Sequence, residues 1–161
     1  MAKQWRDVVN FAPDDRSAPW VTYRYPAGRL VEEQATAVFA QLQHALSDPA
    51  NLAPQSFIPT IARHWGQLDQ VHPFREGNTR SQTMLMATVC RKYGYALDGV
   101  QLLARREEFI GARYHGHSTG QYGRLTALLL DTVEPRSTEQ VTDQERRWAK
   151  SLAPPSHGLS L

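Results

Sequence analysis

The chain has 161 residues, 41% of them hydrophobic and 21% charged, which suffices for one domain with one hydrophobic core and is too short for two ordinary domains. Eighteen Lys and Arg against sixteen Asp and Glu give a formal net charge of +2, a surplus too small for the basic surface expected of a nucleic-acid-binding protein. A single cysteine, Cys90, excludes an internal disulfide and fits a reducing compartment. The apolar runs fall well short of the ~20 residues that a membrane span needs, so we expect no membrane association.

The first half of the chain predicts a short β-strand or hairpin followed by two helices. Prolines break any helix in the first thirty residues, and residues 20–25 are rich in β-forming side chains. Apolar residues then recur at helical spacing from 30 to 46, and Asp48 and Pro49 end this helix. The spacing resumes from 58 to 71, with Pro59 tolerated in the first turn.

A third helix is predicted from 77 to about 93. Its segment 84–90 is apolar on nearly every face, which predicts that this helix lies at the centre of the fold and that Cys90 is inert packing. Further helices are expected at about 100–116 and 121–132. The fold class is therefore mainly α, with one helical domain over residues 1–133 and a polar, partly disordered tail or terminal helix over 134–161.

The segment 72–80, His-Pro-Phe-Arg-Glu-Gly-Asn-Thr-Arg, lies between two predicted helices and favours anion binding. Because Gly77 and Asn78 open a helix, the first backbone N–H groups of that helix have no intrahelical partner. The positive end of the helix dipole favours phosphate at this position. Arg80, one turn into the helix, adds a positive charge that can bind phosphate oxygens.

Two further side chains of the segment are suited to catalysis beside a phosphate. Glu76 is placed to hold a divalent cation, because Mg²⁺ is commonly bound by one or two carboxylates, substrate phosphates and water. His72 carries an imidazole with an ordinary pKa of about 6.5, which suits it to accept a proton from a hydroxyl group. By contrast, His115 and His117 lack further ligands at usable spacing, which disfavours a metal site there.

The segment resembles the motif of the Fic family, H-x-F-x-D/E-G-N-G-R-x-x-R. The matching positions are His72, Phe74, Glu76, Gly77, Asn78 and Arg80. The resemblance implies a helical bundle with a β-hairpin flap near the N-terminus. It also implies an enzyme that moves a nucleotide phosphoryl moiety, most often AMP from Mg-ATP with release of pyrophosphate, to a Ser, Thr or Tyr hydroxyl of a target protein.

The resemblance also assigns roles to individual residues. It implies that His72 is the catalytic base, that Glu76 is the Mg²⁺ ligand and that Phe74 is a core anchor for the loop. The residues implied to bind the nucleotide are Gly77, Asn78, Thr79 and Arg80. The target protein is expected to add a strand along the flap, because pairing at a strand edge sets register without demanding a particular sequence. The flap residues expected to contact the target are Thr22, Tyr23, Arg24 and Tyr25.

Two departures from the motif leave alternatives open. Thr79 replaces the second glycine, a position that is lysine in the Doc branch, where the activity is protein phosphorylation. Thr83 replaces the last arginine, which removes a charge-assisted contact to phosphate. The loss of this contact is expected to lower nucleotide affinity by about ten- to a hundredfold. The alternatives to AMP transfer are therefore a kinase-like donor variant and a nucleotide- or partner-binding module without transferase activity.

The partners are expected to be proteins. The family's inhibitory motif, S/T-x-x-x-E-G/N, does not occur in the sequence, so inhibition would come from a separate, antitoxin-like protein. No nucleic acid or membrane partner is expected. The chain is expected to act in its own cytoplasm as a toxin or, after delivery, in another cell as an effector.

Overall fold

Helices dominate the part of the chain that the structure, a computed structural model, describes: residues 8–11, 21–74 and 76–136, with the backbone alone for 8–11 and 21–24. These residues form six α-helices, a 3₁₀ turn and two two-stranded sheets, so the predicted mainly α fold class is confirmed. The elements in chain order are β1 Val8–Phe11, β2 Val21–Arg24, α1 Arg29–Ser47, the 3₁₀ turn Pro49–Leu52, α2 Pro54–Val71, α3 Asn78–Lys92, β3 Tyr95–Leu97, α4 Gly99–Ala104, α5 Arg106–Thr119, α6 Gly123–Thr132 and β4 Val133–Pro135.

Helix α2 is the central element of the fold. It packs against α1, α3, α5 and α6, and its inward face is buried at most positions. Trp65 is fully buried, and its ring meets that of Phe109 on α5 edge to face with ring centroids 5.0 Å apart. Burying a large apolar side chain contributes about 1.5–3 kcal/mol, so each buried apolar residue of α2 stabilises the packing of the bundle around it.

The expectation that α3 lies at the centre is wrong. Its buried residues form one stripe spaced four apart, Asn78, Gln82, Met86 and Cys90. Met84, within the apolar run, is 65% exposed, because α3 lies on one side of α2. The inert role predicted for Cys90 fits the structure, since burial raises the pKa of its thiol to about 12.

Two helix boundaries differ from the expectation. Helix α2 starts at Pro54, so Pro54 occupies the first turn and Pro59 lies inside the helix with its ring exposed. The helix expected over 100–116 is divided at Arg105 into α4 and α5. Asp98 caps α4 by accepting hydrogen bonds from two backbone N–H groups of its first turn, both at 2.9 Å.

The predicted hairpin is present, and its second strand leads the chain to the candidate site. Strands β1 and β2 pair antiparallel, with Val8 opposite Arg24 and Phe11 opposite Val21. β2 passes beside α5. The chain then enters the core at Tyr25, which is 9% exposed.

A second, shorter sheet was not predicted. β3 and β4 pair antiparallel, with Leu97 opposite Val133, and three-residue strands are too short to show an alternating pattern. The predicted boundary between 133 and 134 falls within β4, and residues 137–161 of the predicted tail lie outside the described residues. None of the helices in the described ranges has both the length and the apolar character needed to cross a membrane.

Candidate active site

His72 ends α2 in a left-handed backbone conformation, with φ 49° and ψ 55°. It is the one non-glycine residue with positive φ in the described part of the chain. Its backbone N–H donates to the Leu68 carbonyl at 3.2 Å and closes the last turn of the helix. A residue with a Cβ adopts this conformation at a cost of roughly 1–2 kcal/mol, so the contacts around His72 must hold it there.

Asn78 holds the loop between α2 and α3 in place. Its side-chain Oδ1 accepts from the Phe74 backbone N–H at 2.8 Å, and its Nδ2 donates to the Phe74 carbonyl. Asn78 is only 5% exposed, so both bonds are shielded from water. The expectation that Phe74 is a core anchor is wrong: its side chain is 52% exposed, because the loop is fixed through the Phe74 backbone.

The N-terminus of α3 faces an open cavity of about 370 Å³. Gly77 precedes the helix with φ 79°, and the first backbone hydrogen bond of this turn runs from the Ser81 N–H to the Gly77 carbonyl. The N–H groups before Ser81 therefore have no carbonyl one turn earlier in the helix. The residues that line the cavity are His72, Glu76, Gly77, Asn78, Thr79 and Arg80, so the predicted base, metal ligand and nucleotide-binding residues share one site.

The His72 imidazole stacks on Tyr25. The ring centroids are 4.2 Å apart with an interplanar angle of 30°, and Tyr25 also meets the His117 ring edge-on at 6.5 Å. Burial lowers the pKa of His72, and Arg113 and His117 lower it further, against an opposing effect of Asp69. The imidazole is therefore neutral at pH 7 and available to accept a proton.

A buried polar network lies behind the cavity and joins α2 to α5. Asp69 Oδ1 accepts from Arg113 Nη1 at 2.8 Å, and Asp69 Oδ2 lies 3.1 Å from His117 Nε2. The three side chains are at most 4% exposed. Burial alone would raise the pKa of Asp69, but the adjacent His117 ring and the charge of Arg113 hold it below its ordinary value. Asp69 is thus an ionised carboxylate that compensates the charge of Arg113.

The network reaches the cavity through Thr79. Arg113 Nη2 donates to Thr79 Oγ1 at 3.3 Å. Thr83, at the other departure from the motif, donates its hydroxyl to the Thr79 carbonyl at 2.8 Å. Thr83 does not line the cavity, so its hydroxyl does not replace the missing arginine.

Sequence reasoning missed Asp69 and Arg113, and it considered His117 only as a metal ligand. They occupy positions of the buried stripes of α2 and α5: Asp69 follows Trp65 by one helical turn, and Arg113 follows Phe109 by one turn. A charged side chain on the apolar face of a helix is the signal that could have found them, because such a group is buried only when it is paired.

Glu76 is the one predicted metal ligand, and its surroundings fit Mg²⁺. Its carboxylate is exposed on the cavity that the N-terminus of α3 also lines. In the described ranges, no three His, Cys, Asp or Glu side chains are grouped so as to hold a metal ion. Glu76 would therefore share Mg²⁺ with substrate phosphates and water, the usual donor set for this ion.

The predicted target-binding residues divide into two groups. Thr22, Tyr23 and Arg24 lie in β2, for which the structure describes the backbone alone. Within the described ranges, β2 pairs with β1 alone, so one edge of β2 has no strand partner there. The Tyr25 side chain is instead directed toward His72.

Comparison with known proteins shows which protein family this chain resembles. A model of the Fic/DOC family matches residues 4–90, more than half of the chain. A protein from Sinorhizobium fredii, "Probable protein adenylyltransferase y4lH", is 25% identical over 103 residues, which cover 64% of this chain and 52% of that protein.

Solved Fic-type structures share the fold. The BepC protein of Bartonella tribocorum, a VirB-translocated effector solved with bound AMPPNP, has a TM-score of 0.59 and 21% identity, over 80% of this chain and 57% of that one. The N-terminal Fic domain of a Bep effector from Bartonella quintana has a TM-score of 0.61 and 23% identity, over 76% and 54% of the two chains. A structure of a Bartonella quintana Fic domain with bound ADP has a TM-score of 0.60 and 23% identity, over 80% and 56%. The chain therefore spans just over half the length of each of these proteins.

Proposed function

The chain belongs to the Fic/DOC family, and from that membership we propose that it is a protein adenylyltransferase, which transfers AMP from Mg-ATP to a Ser, Thr or Tyr hydroxyl of a target protein. The family match and the relative named as a protein adenylyltransferase support nucleotidyl transfer in general. The nucleotides bound to the Bartonella structures, AMPPNP and ADP, support ATP as the donor.

One observation carries the proposal: a single cavity contains a neutral histidine, an exposed carboxylate and the N-terminus of a helix. The left-handed conformation of His72 turns the chain at the end of α2, and that of Gly77 starts α3 after a short loop. Asn78, the first residue of α3, binds the backbone of Phe74, two residues after His72, and so ties this part of the loop to the start of α3. The base and the phosphate site are thus held in place before a substrate arrives.

In the proposed reaction, the target hydroxyl oxygen attacks the α-phosphorus of ATP. A new oxygen–phosphorus bond forms, and the bond between the α-phosphorus and the oxygen that bridges to the β-phosphate breaks. His72 accepts the hydroxyl proton, AMP remains on the target and pyrophosphate leaves. The backbone N–H groups at the start of α3 and the Arg80 guanidinium bind phosphate oxygens, and Glu76 would hold Mg²⁺. When bound, Mg²⁺ supplies positive charge that offsets the charge of the phosphates.

The edge of β2 that has no strand partner among the described residues supports the proposed mode of target binding. An extended segment of the target would pair with the β2 backbone at Thr22, Tyr23 and Arg24 and bring its hydroxyl toward His72. The translocated Bartonella relatives support an effector that acts in another cell as one setting for this reaction.

The test is label transfer from ATP to protein in a cell lysate. With ATP labelled at the α-phosphate, the wild-type chain labels protein, and His72→Ala abolishes this labelling while its circular dichroism spectrum is unchanged. His44→Ala is the matched control, because His44 is an exposed histidine on α1 outside the cavity. Label transferred from the γ-phosphate alone would identify the kinase-like alternative, for which Thr79 at the glycine position is the motivating observation. No transfer from either position would favour the binding module.

A further inference from the structure

Thr79 stands where the family motif has glycine, and its hydroxyl oxygen has a hydrogen-bond partner on α5. The oxygen accepts a hydrogen bond from Arg113 Nη2 at 3.3 Å. A hydroxyl carries one hydrogen and two acceptor lone pairs, so accepting this bond leaves the hydrogen of Thr79 available. Within the described ranges, no acceptor is paired with that hydrogen.

Arg113 is held rigidly enough to orient Thr79. Its guanidinium donates to Asp69 at 2.8 Å and lies over the Phe109 ring, 4.4 Å from the ring centroid. Arg113 is 3% exposed. Since Asp69 compensates its charge and burial keeps it from the cavity, Arg113 acts on the site through Thr79.

The Thr79 side chain lines the cavity at the first turn of α3, where the first backbone N–H groups have no partner within the helix and favour an anion. We propose that the Thr79 hydroxyl is a phosphate ligand of this chain, which donates a hydrogen bond to a phosphate oxygen of the bound nucleotide while Arg113 holds its oxygen. This inference rests on the proposed nucleotide-dependent function. It assigns to Thr79 a contact that partly replaces the arginine missing at position 83, where Thr83 bonds to its own helix instead.

The test compares nucleotide affinities of Thr79 variants by isothermal titration calorimetry, with Mg-ATP and with adenosine as probes. Thr79→Val removes the hydroxyl at nearly constant shape and is expected to weaken Mg-ATP binding roughly tenfold or more, since hydrogen bonds to charged groups are strong. Adenosine affinity is expected to be unchanged, because adenosine has no phosphate. Thr79→Ser, which keeps the hydroxyl, is expected to retain Mg-ATP affinity within about twofold.

Thr88→Val is the matched control, because Thr88 is exposed on the same helix and donates its hydroxyl to the Met84 carbonyl at 2.9 Å, outside the cavity. Arg113→Lys tests the positioning role: an ammonium group lacks the planar fork that reaches both Asp69 and Thr79. This variant is therefore expected to lose Mg-ATP affinity and to keep adenosine affinity. If Thr79→Val fails to fold by circular dichroism, Thr79→Gly, the family's own residue, takes its place.

Two results would overturn the inference. One is Mg-ATP affinity in Thr79→Val and Thr79→Gly equal to that of the wild type. The other is an equal loss for Mg-ATP and adenosine, which would make Thr79 a packing residue. A wild-type chain that binds no Mg-ATP would overturn both this inference and the proposed function. A wild-type chain that binds Mg-ATP with the expected dependence on Thr79 but transfers no label would contradict the proposed function and leave the inference standing.

Discussion

His72 combines a strained backbone with a neutral side chain, and both follow from its position at the end of a buried helix. The helix brings it close to Asp69, Arg113 and His117, and the flap brings Tyr25 onto its ring. Burial and the charge of Arg113 oppose protonation more strongly than Asp69 favours it, so the pKa of His72 is lowered from 6.5. The pH range in which His72 can act as a base is therefore extended to lower pH.

This environment predicts the pH dependence of transfer. The base must be neutral to accept the hydroxyl proton, so the rate is expected to be flat from about pH 7 to pH 8 and to fall as the pH drops through the lowered pKa of His72. The rate should reach half of its maximum below pH 6.5, the ordinary histidine value. Initial rates of label transfer from pH 5 to pH 8 measure this, and half-maximal activity above pH 6.5 would contradict a lowered pKa of the His72 base.

Replacing Asp69 is expected to lower the free energy of unfolding more than replacing a charged residue of a surface ion pair. Asp69→Ala leaves Arg113 buried without its counter-charge, and breaking a buried ion pair from one side costs roughly 3–5 kcal/mol in the free energy of unfolding. Asp131→Ala is the matched control, because Asp131 pairs with Arg105 on the surface, where such pairs contribute about 0–1 kcal/mol. Urea denaturation measures the free energy of unfolding of both variants. Equal losses would show that the buried ion pair stabilises the fold no more than the surface pair does.

The contribution of the Asp69 carboxylate to the stability of the fold depends on pH. Because the pKa of Asp69 is lowered in the folded state, its contribution is fully present above the ordinary aspartate value of 3.8. That contribution is lost as the pH falls through the folded pKa, below 3.8.

At the scale of elements, the close approach of α2 and α5 depends on two glycines that flank one ring. A Cβ on Gly66 of α2 would lie 2.1 Å from the Tyr122 ring, and a Cβ on Gly116 of α5 would lie 2.6 Å from it. The Tyr122 side chain thus fills a space that exists only because both helices carry glycine there. The contact helps to set the distance between Asp69 on α2 and Arg113 on α5.

Gly66→Ala is expected to destabilise the fold by roughly 1–3 kcal/mol, because the added methyl group overlaps an aromatic ring in a packed interior. Gly111→Ala on α5 is the control: no atom outside the local backbone lies within 4 Å of its added Cβ, so alanine should stabilise that helix by about 0.5–1 kcal/mol. Thermal denaturation followed by circular dichroism measures both. A Gly66→Ala variant as stable as the wild type would show that Tyr122 can move at little cost.

Sequence periodicity correctly predicted helices that carry one apolar stripe. Helix α1 shows this clearly, since Val38, Leu42 and Leu46 mark its buried face. Periodicity did not predict features that depend on contacts between distant parts of the chain. The central position of α3 could not be judged from an apolar run, because burial depends on which neighbours cover a helix. The sheet of β3 and β4 could not be predicted either, because its strands pair across the chain and are three residues long.

At the scale of the whole molecule, the part of the candidate site that could be predicted is the part that is continuous in sequence. His72, Glu76 and Arg80 fall in one short segment, so their spacing alone predicts a shared cavity. The network behind them joins Asp69 to Arg113, 44 residues later in the chain, and depends on the packing of α2 against α5. No local pattern contains that contact. The Thr79 hydroxyl has Arg113 as a hydrogen-bond donor only because the folded chain brings α5 beside α3.

At the scale of the whole molecule, we propose that the helical bundle holds a nucleotide-binding cavity and that the edge of β2 left without a strand partner in the described ranges receives the target. The most direct test of AMP transfer by this chain is intact-mass spectrometry of the chain and of proteins in a target-cell lysate after incubation with Mg-ATP, for the wild type and for His72→Ala. AMP transfer with His72 as the base predicts a gain of about 329 Da, one AMP group, in the wild type and none in His72→Ala. A gain of about 80 Da, one phosphoryl group, or a 329 Da adduct of about equal yield in His72→Ala would contradict it.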